Sequence, residues 1–132
     1  MLRMFFVLGL ILTTNLAFAE TPEGVIAALK SEASAIPGFQ GFSASRGETF
    51  FKTKHGGEWS CSSCHTDNPA AQGKHAKTDK VIKPIAPSAN AERFTDMAKV
   101  EKWFKRNCND VLERVCTPQE KGDFLTYLLT IK

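Results

Sequence analysis

Two cysteines and a histidine carry the clearest chemistry in the sequence. Residues 61–65 read C-S-S-C-H, so two thiols three residues apart are followed at once by an imidazole. Thiols at this spacing lie on one turn and can add to the two vinyl groups of a porphyrin, and the histidine then points at the iron. The sequence predicts one covalent haem c, attached through Cys61 and Cys64, with His65 as the proximal iron ligand.

Two other chemistries use a pair of cysteines at this spacing. A thioredoxin-like redox pair needs a βαβ context, and a structural zinc site needs a second pair of ligands. The sequence shows neither around Cys61 and Cys64. Haem attachment is therefore the favoured interpretation.

The first nineteen residues read as a secretory signal peptide. Arg3 gives a basic start, FFVLGLIL is an apolar run, and residues 17–19 read A-F-A, a small-x-small cleavage site. The run is short for a bilayer span, so an uncleaved anchor is less favoured. We expect export to a bacterial periplasm and a single cytochrome c domain over residues 20–132, without a membrane anchor.

The overall charge argues against a nucleic-acid-binding protein. The formal charge is +3 and falls by one when Arg3 leaves with the signal peptide, and two haem propionates would bring it close to neutral. Nucleic-acid binding would need a concentrated basic face. Four cysteines would allow two disulfides, but the histidine after the first pair argues against that use of it.

The hydrophobic periodicity and the capping signals predict an all-α fold. Helices are expected near 22–36 and 43–54, from 95 onward and from 118 to the C-terminus, with a proline-containing loop over 66–94. Long loops around helices make sense if haem fills the middle, and the chain resembles a class I cytochrome c. The segment 20–40 is then an N-terminal helical extension.

In such a fold, a helix with a glycine and an aromatic residue crosses the C-terminal helix. Gly47 and Phe51 lie four residues apart on one predicted face, and they would meet Phe124, Leu125 or Leu128. The resemblance therefore predicts which residues form the central helix crossing.

The candidates for the second, distal iron ligand are Met97, His55, His75, Asn107 and Asn109. Met97 has familiar ligand chemistry, but it falls in the first turn of a helix, where it also reads as a core residue. His55 is close in sequence to Cys61 for a ligand on the opposite face, and His75 reads as a surface histidine.

Asn107 interrupts an otherwise apolar helical face. Positions 100, 103, 104, 107, 108, 111, 112 and 115 share the helical period and read Val, Trp, Phe, Asn, Cys, Val, Leu and Val. A buried amide without a partner costs about 1–3 kcal/mol. From spacing alone, Asn107 either caps a helix end or faces the haem, while Asn109 lies off this face.

Cys108 and Cys116 indicate a bend in the chain. In one straight helix their Cα atoms would be about 12 Å apart, whereas a disulfide needs less than about 7 Å. Thr117 and Glu120 form a capping-box pattern with Pro118 between them, which places Cys116 just outside the last helix. The two cysteines could therefore close a small loop, or they could remain as two buried thiols.

Three stretches of the chain resemble the sphaeroides haem protein (SHP) family of small exported class I-type cytochromes. They read GGEWSCSSCHT, KPIAPSANAERFTD and FTDMAKVEKWFKRNCNDVLERVC, and the resemblance runs from about Gly38 to the C-terminus. It implies that Asn107 is the sixth ligand of the oxidised haem and that Cys108 and Cys116 form a disulfide. Asn109 is the alternative amide.

The resemblance implies that the sixth coordination position of the haem iron becomes free on reduction. An amide oxygen is a hard donor that suits ferric iron. A haem with an amide ligand in place of methionine should therefore have a lower reduction potential. When Asn107 leaves the ferrous iron, oxygen, nitric oxide or carbon monoxide could bind there. The alternative is an ordinary electron carrier with Met97 as a permanent ligand. A small enzyme that turns over such molecules is less favoured, because no proton donor stands out.

The expected partner is another c-type cytochrome with two or more haems, as the resemblance implies. Four lysines in the loop after the haem motif could steer an acidic partner, or they could simply belong to a solvated loop. They are Lys74, Lys77, Lys80 and Lys83.

Overall fold

The computed structural model describes residues 20–132, so the predicted signal peptide lies outside the described residues. The elements are α1 (Pro22–Ser34), α2 (Ala44–Lys52), α3 (Ser62–His65), β1 (Gly73–Lys74), β2 (Val81–Ile82), α4 (Met97–Leu112) and α5 (Pro118–Leu128). The prediction of an all-α fold is confirmed, since the described sheet is one antiparallel pair of two-residue strands. None of the helices in this part of the chain is long and apolar enough to cross a membrane.

Side-chain caps define where the longer helices begin. The hydroxyl of Thr21 accepts a hydrogen bond from the amide of Gly24 at the start of α1, and Ser43 caps α2 in the same way. Asp96 accepts from the amide of Lys99 at the start of α4. Thr117 opens α5 with a complete capping box. These starts agree with the capping signals in the sequence because each cap satisfies a backbone donor that the helix cannot.

The helices α2 and α5 cross at Gly47. A Cβ atom there would lie 1.9 Å from the backbone oxygen of Asp123 and 2.8 Å from the Cβ of Tyr127. Phe51 is fully buried one turn later, with its ring centroid 6.0 Å from that of Phe124 and 5.7 Å from that of Tyr127. The predicted contact of Gly47 and Phe51 with the C-terminal helix is confirmed.

A buried carboxylate ties the same crossing together. Asp123 is 4% exposed and accepts from the amide of Ser43 at 2.6 Å and from Nε of Arg46 at 2.7 Å. Arg46 Nη2 and Gln119 Nε2 donate to the same carboxylate, each at 2.9 Å. Because a buried charge is costly unless it is paired and hydrogen-bonded, these donors allow Asp123 to occupy this position.

The buried face of α4 is narrower than the sequence suggested. Val100, Phe104, Cys108 and Leu112 are buried, whereas Trp103 is 49% exposed and Val115 is 68% exposed. The inclusion of Val115 in the apolar face was wrong because the helix ends at Leu112. Glu113 then adopts a left-handed conformation with φ of 58°.

The N-terminal helix α1 packs into the same core. Val25, Leu29 and Ala33 are buried along one side of it, and Val25 and Leu29 join the cluster that contains Leu125 and Leu128 of α5. The predicted helix span of 22–36 included Ile36, but this residue lies beyond the end of α1 and is 45% exposed.

We expect Gly47→Ala to destabilise the protein by roughly 1–3 kcal/mol, because the added methyl group would force α2 and α5 apart. Gly24→Ala is the matched control. Its Cβ would come no closer than 3.6 Å to Thr21 Oγ1, so the change should be neutral or slightly stabilising. Urea unfolding of the holoprotein compares the two, and equal stability of both variants would contradict the close crossing.

Candidate haem site

The helix α3 is a single turn that presents the two thiols and the imidazole of the haem motif. Cys61 is the cap of α3, and its carbonyl oxygen accepts from the amide of His65 at 3.1 Å. Both cysteines are free thiols, and Cys64 Sγ accepts from the amide of Ala76 at 3.3 Å. Burial raises the pKa of Cys61 to about 12. The structure therefore brings all three residues together on one turn.

Serine side chains hold this turn in shape. The amide of Ser60 donates to Ser63 Oγ at 2.9 Å, and the amide of Ser63 donates back to Ser60 Oγ at 3.2 Å. The hydroxyl groups of Ser60 and Ser62 are 2.9 Å apart. Both residues between the cysteines thus take part in the network. The motif alone does not reveal this role, although serines next to a helix start are a usable signal.

Gly73 allows the hairpin strand β1 to lie against the haem motif. A Cβ atom at this position would be 2.2 Å from the carbonyl oxygen of Cys64 and 3.1 Å from the Cα of His65. Only glycine permits this approach. The residues after the motif are therefore fixed against it, although the sequence indicated only a loop.

His65 lies in surroundings that favour a neutral imidazole. Burial, together with the nearby charge of Arg93, lowers the pKa of His65 to about 4. Arg93 is held by its Nε, which donates to the carbonyl of Pro84 at 2.9 Å, and by its Nη2, which donates to Lys83 at 2.8 Å. A neutral ring is the form that binds iron. Nothing in the sequence pattern indicated this position for Arg93.

The two candidate asparagines of α4 lie on different sides of the helix. Residues two positions apart in an α-helix point in nearly opposite directions, so Asn107 and Asn109 cannot share a face. Trp103 and Val111 lie one turn before and after Asn107, on its own side. The C-terminal end of α4 approaches the chain leading to Cys61, because a Cβ at Gly57 would be 3.2 Å from the backbone carbonyl oxygen of Val111.

Asn107 is exposed, contrary to the expectation of a buried amide. Its side chain forms no hydrogen bond with any residue between 20 and 132. It also lies in the interior of α4, with five residues before the helix end at Leu112, so it does not cap that end. The capping interpretation of Asn107 is therefore wrong, and its amide oxygen is accessible to a ligand-binding role.

The chain turns back immediately after α4 and brings two cysteines together. The amide of Glu113 donates to the carbonyl of Asn109 at 3.1 Å and closes the helix. The Cα atoms of Cys108 and Cys116 are 5.6 Å apart, which is within the range of a disulfide. The predicted bend between them is confirmed.

Each of the other three ligand candidates has a local role. Met97 is the first residue of α4, and its side chain packs against the core. Its backbone amide donates a hydrogen bond to the Glu20 carboxylate. Nε2 of His55 donates to the carbonyl of Phe50 at 2.9 Å. His75 accepts a backbone hydrogen bond through Nδ1 within its own turn.

A carboxylate fixes the loop that follows α4. Glu120 accepts from Arg114 Nη2 at 2.6 Å and from Nη1 at 2.8 Å, and from the amide of Thr117 at 2.8 Å. Burial alone would raise the pKa of Glu120, but hydrogen bonds from Arg114 and Thr117 lower it below its ordinary value. This contact connects the residues on either side of Cys116 to the start of α5.

The residues present fit a haem c. Two free thiols and a neutral imidazole on one turn are the donors that covalent attachment and axial ligation require. The glycine beside them leaves no side chain in the way of the hairpin strand. Together, the helical fold and this turn define a c-type cytochrome.

Comparison with known proteins agrees with this class. A family model described as a domain of unknown function, DUF1924, matches residues 37–128. Cytochrome c'' of Methylophilus methylotrophus is 48% identical over 101 residues, which are 74% of this chain and 70% of that protein. The cytochrome c-type protein SHP of Cereibacter sphaeroides is 48% identical over 89 residues, which are 64% of this chain and 68% of that protein.

Solved structures of the same two proteins share the fold. The crystal structure of oxidised cytochrome c'' matches with a TM-score of 0.74 at 44% identity, over 84% of this chain and 94% of that one. Oxidised SHP, described as an oxygen-binding cytochrome c, matches with a TM-score of 0.74 at 40% identity, over 85% and 98%. The chain belongs to the DUF1924 family of SHP-like cytochromes c, which carry a covalently bound haem c. The resemblance inferred from the sequence is confirmed.

We expect Glu120→Gln to remove part of the acid sensitivity of folding. Because the folded-state pKa of Glu120 lies below its ordinary value of 4.5, the carboxylate stabilises the fold above that pH and the effect disappears as pH falls through the folded-state pKa. The free energy of unfolding, measured from neutral to acidic pH, should fall less steeply in the variant. The control is Glu58→Gln, at an exposed residue, which should retain the wild-type slope.

Proposed function

We propose that this protein is an exported monohaem cytochrome c whose sixth ligand is the removable side chain of Asn107. It accepts electrons from another c-type cytochrome and binds a diatomic molecule when it is reduced. The observation that carries the proposal is the exposed, unpaired amide of Asn107 on α4, a helix whose C-terminal end approaches the chain leading to the haem motif. Cys61 and Cys64 hold the haem, and His65 is the proximal ligand.

When bound, haem c supplies an iron that changes oxidation state and has a sixth position open to a small ligand. Asn107 would bind there through a hard amide oxygen, which suits ferric iron better than ferrous iron. Its hold would weaken on reduction of the haem, and the side chain would then turn away. Asn107 therefore controls access in response to the redox state, whereas a methionine would stay bound in both states.

The disulfide that we propose between Cys108 and Cys116 fixes the backbone next to the ligand. Cys108 follows Asn107 directly and is buried in the core. A crosslink there holds the end of α4 and the start of α5 together. The amide can then leave and return by side-chain rotation, without unfolding of the helix.

Two relatives of this chain support gas binding and ligand release. SHP is called an oxygen-binding cytochrome c. The solution structure of cytochrome c'', which matches with a TM-score of 0.70 at 45% identity over 83% of this chain and 92% of that one, is presented as insight into haem-ligand detachment. We extend both properties, ligand release and gas binding, to this chain.

Export and domain organisation complete the proposal. Residues 1–19 act as a signal peptide, so the mature chain begins at Glu20 and works in the periplasm. Residues 20–132 form one cytochrome c domain, to which residues 20–40 are an N-terminal addition. Support comes from α1, which buries Val25 and Leu29 against the same core as α5.

The decisive comparison is Asn107→Ala against Asn109→Ala. We expect the ferric Asn107→Ala protein to lose its low-spin absorption spectrum, while Asn109→Ala keeps the wild-type spectrum because its side chain points away. Dithionite-reduced wild-type protein should be high-spin and should take up carbon monoxide readily. Absorption and resonance Raman spectroscopy measure both properties.

Met97→Leu separates the proposal from an ordinary electron carrier. If Met97 were a permanent ligand, wild-type protein would show a sulfur-to-iron charge-transfer band when oxidised and would ignore carbon monoxide when reduced. Met97→Leu would then open the site, and Asn107→Ala would not. That combination would overturn the assignment of Asn107.

Replacement of both Cys108 and Cys116 by serine should weaken the fold and loosen the ligand. The closed loop of about nine residues is worth roughly 2.5 kcal/mol in the chain-entropy model. We expect the free energy of unfolding to fall by about this amount, and the ferric spectrum to gain a high-spin fraction. Mass spectrometry of the wild-type holoprotein under non-reducing conditions checks the crosslink directly. The haem cysteines are already thioethers there, so two alkylatable thiols would show that Cys108 and Cys116 are free and would contradict the disulfide.

A further inference from the structure

The exposed side of α4 carries three positive side chains that form no ion pair with another described residue. They belong to Lys102, Lys105 and Arg106, all of which are exposed. The helical period places them on the side of α4 away from its buried face. We call Lys102, Lys105 and Arg106, which are neighbours at i, i+3 and i+4, the α4 basic surface, and Trp103 borders it beside Arg106.

Three of the four loop lysines, in contrast, are engaged by neighbouring side chains. Lys74 pairs with Asp79 at 2.8 Å, and Lys83 pairs with Glu92 at 3.9 Å. Lys77 Nζ lies 4.6 Å from the ring centroid of Trp59. Two of the four positive charges in this loop are therefore paired with a carboxylate, which makes the loop less attractive to an acidic protein.

An exposed aromatic residue lies among the charges of α4. Trp103 is 49% exposed, and the guanidinium carbon of Arg106 is 5.7 Å from its ring centroid. Tryptophan and arginine are the residues that most often anchor protein interfaces. Trp103 also lies one turn before Asn107, on the side of α4 that we assign to the haem.

We infer that the α4 basic surface is the docking site for an acidic electron-donor protein. The inference rests on the proposed function, because it places the donor beside the helix that carries the removable ligand. Arg106 precedes Asn107 in the chain, so a partner that holds Arg106 also contacts the turn from which Asn107 must move. Electron delivery and ligand release are then coupled at one surface.

A partner protein explains this surface better than a lipid membrane does. A helix that inserts into a membrane interface presents a broad apolar face opposite its basic one. Here the apolar residues of α4 are buried in the core, and Trp103 is its only exposed large hydrophobic residue among those described.

The test uses a gold electrode with a carboxylate-terminated monolayer as an acidic protein mimic, and a hydroxyl-terminated monolayer as the neutral control. Holoprotein with Lys102→Gln, Lys105→Gln and Arg106→Gln is compared with a charge-matched variant carrying Lys77→Gln, Lys80→Gln and Lys83→Gln. All six positions are exposed, so both variants should fold. Absorption spectra check that the haem environment is unchanged.

We expect the α4 variant to lose adsorption and interfacial electron transfer on the acidic monolayer, on the order of tenfold at low salt. The loop variant should stay close to wild type, and the hydroxyl surface should not distinguish the proteins. An equal loss in both variants, or a loss only in the loop variant, would overturn the inference. So would α4-dependent co-sedimentation with vesicles of phosphatidylglycerol and phosphatidylcholine, which would indicate a membrane.

A single-residue variant, Lys102→Glu, guards against an artefact of three substitutions and should reduce adsorption in the same direction. Uptake of carbon monoxide by the reduced variants is measured separately. If the ferrous protein ignores carbon monoxide, the removable ligand is wrong whatever the electrode shows. If carbon monoxide binds but adsorption is insensitive to α4, only the docking surface is wrong.

Discussion

The close contact between α2 and α5 at Gly47 is the constraint on which the rest of the structure depends. It leaves no room for a side chain, because a Cβ atom would lie 1.9 Å from the backbone of Asp123. The crossing places Phe51 6.5 Å from the ring of His65 and 6.0 Å from that of Phe124. Phe124 in turn lies 5.6 Å from Phe104 of α4. A chain of aromatic contacts therefore connects His65 of the haem motif to the helix that carries Asn107.

The buried carboxylate of Asp123 beside this crossing fixes how α2 and α5 align along each other. Hydrophobic packing alone tolerates sliding between helices, whereas Asp123 is satisfied only when Ser43, Arg46 and Gln119 all point at it. Arg46 itself is half exposed, so water shares the solvation of the charged pair. Apolar packing thus stabilises the crossing of α2 and α5, and the hydrogen bonds of Asp123 set its register.

The fold was predictable because its signals are local or steric. Helix caps such as Thr21 and Thr117 act within one turn, and the pairing of Gly47 with the C-terminal helix follows from a crossing that only glycine allows. The end of α4 was harder, since no glycine marks it and Glu113 adopts the left-handed conformation instead. The apolar period therefore appeared to continue to Val115.

The haem motif was equally predictable, but its supporting residues were not. Gly73 and Arg93 reach the motif through loops, and the approach of such segments depends on tertiary contacts that leave no periodic trace in the sequence. The same holds for the exposure of Asn107. The helical spacing predicted the face of α4 on which Asn107 lies. Only the structure shows that its side chain forms no hydrogen bond with another described residue.

The release of Asn107 that we propose requires a firm scaffold and a movable side chain, and the position of this residue in the chain is compatible with both. A ligand that leaves on reduction must move without loss of core packing, and residue 108, its neighbour, is buried while Asn107 is exposed. A methionine in a loose loop would move together with its backbone. Here the backbone is held on both sides, by the helix before Asn107 and by the Cys108–Cys116 contact after it. The motion is then confined to side-chain torsions, which relax far faster than segments of chain refold.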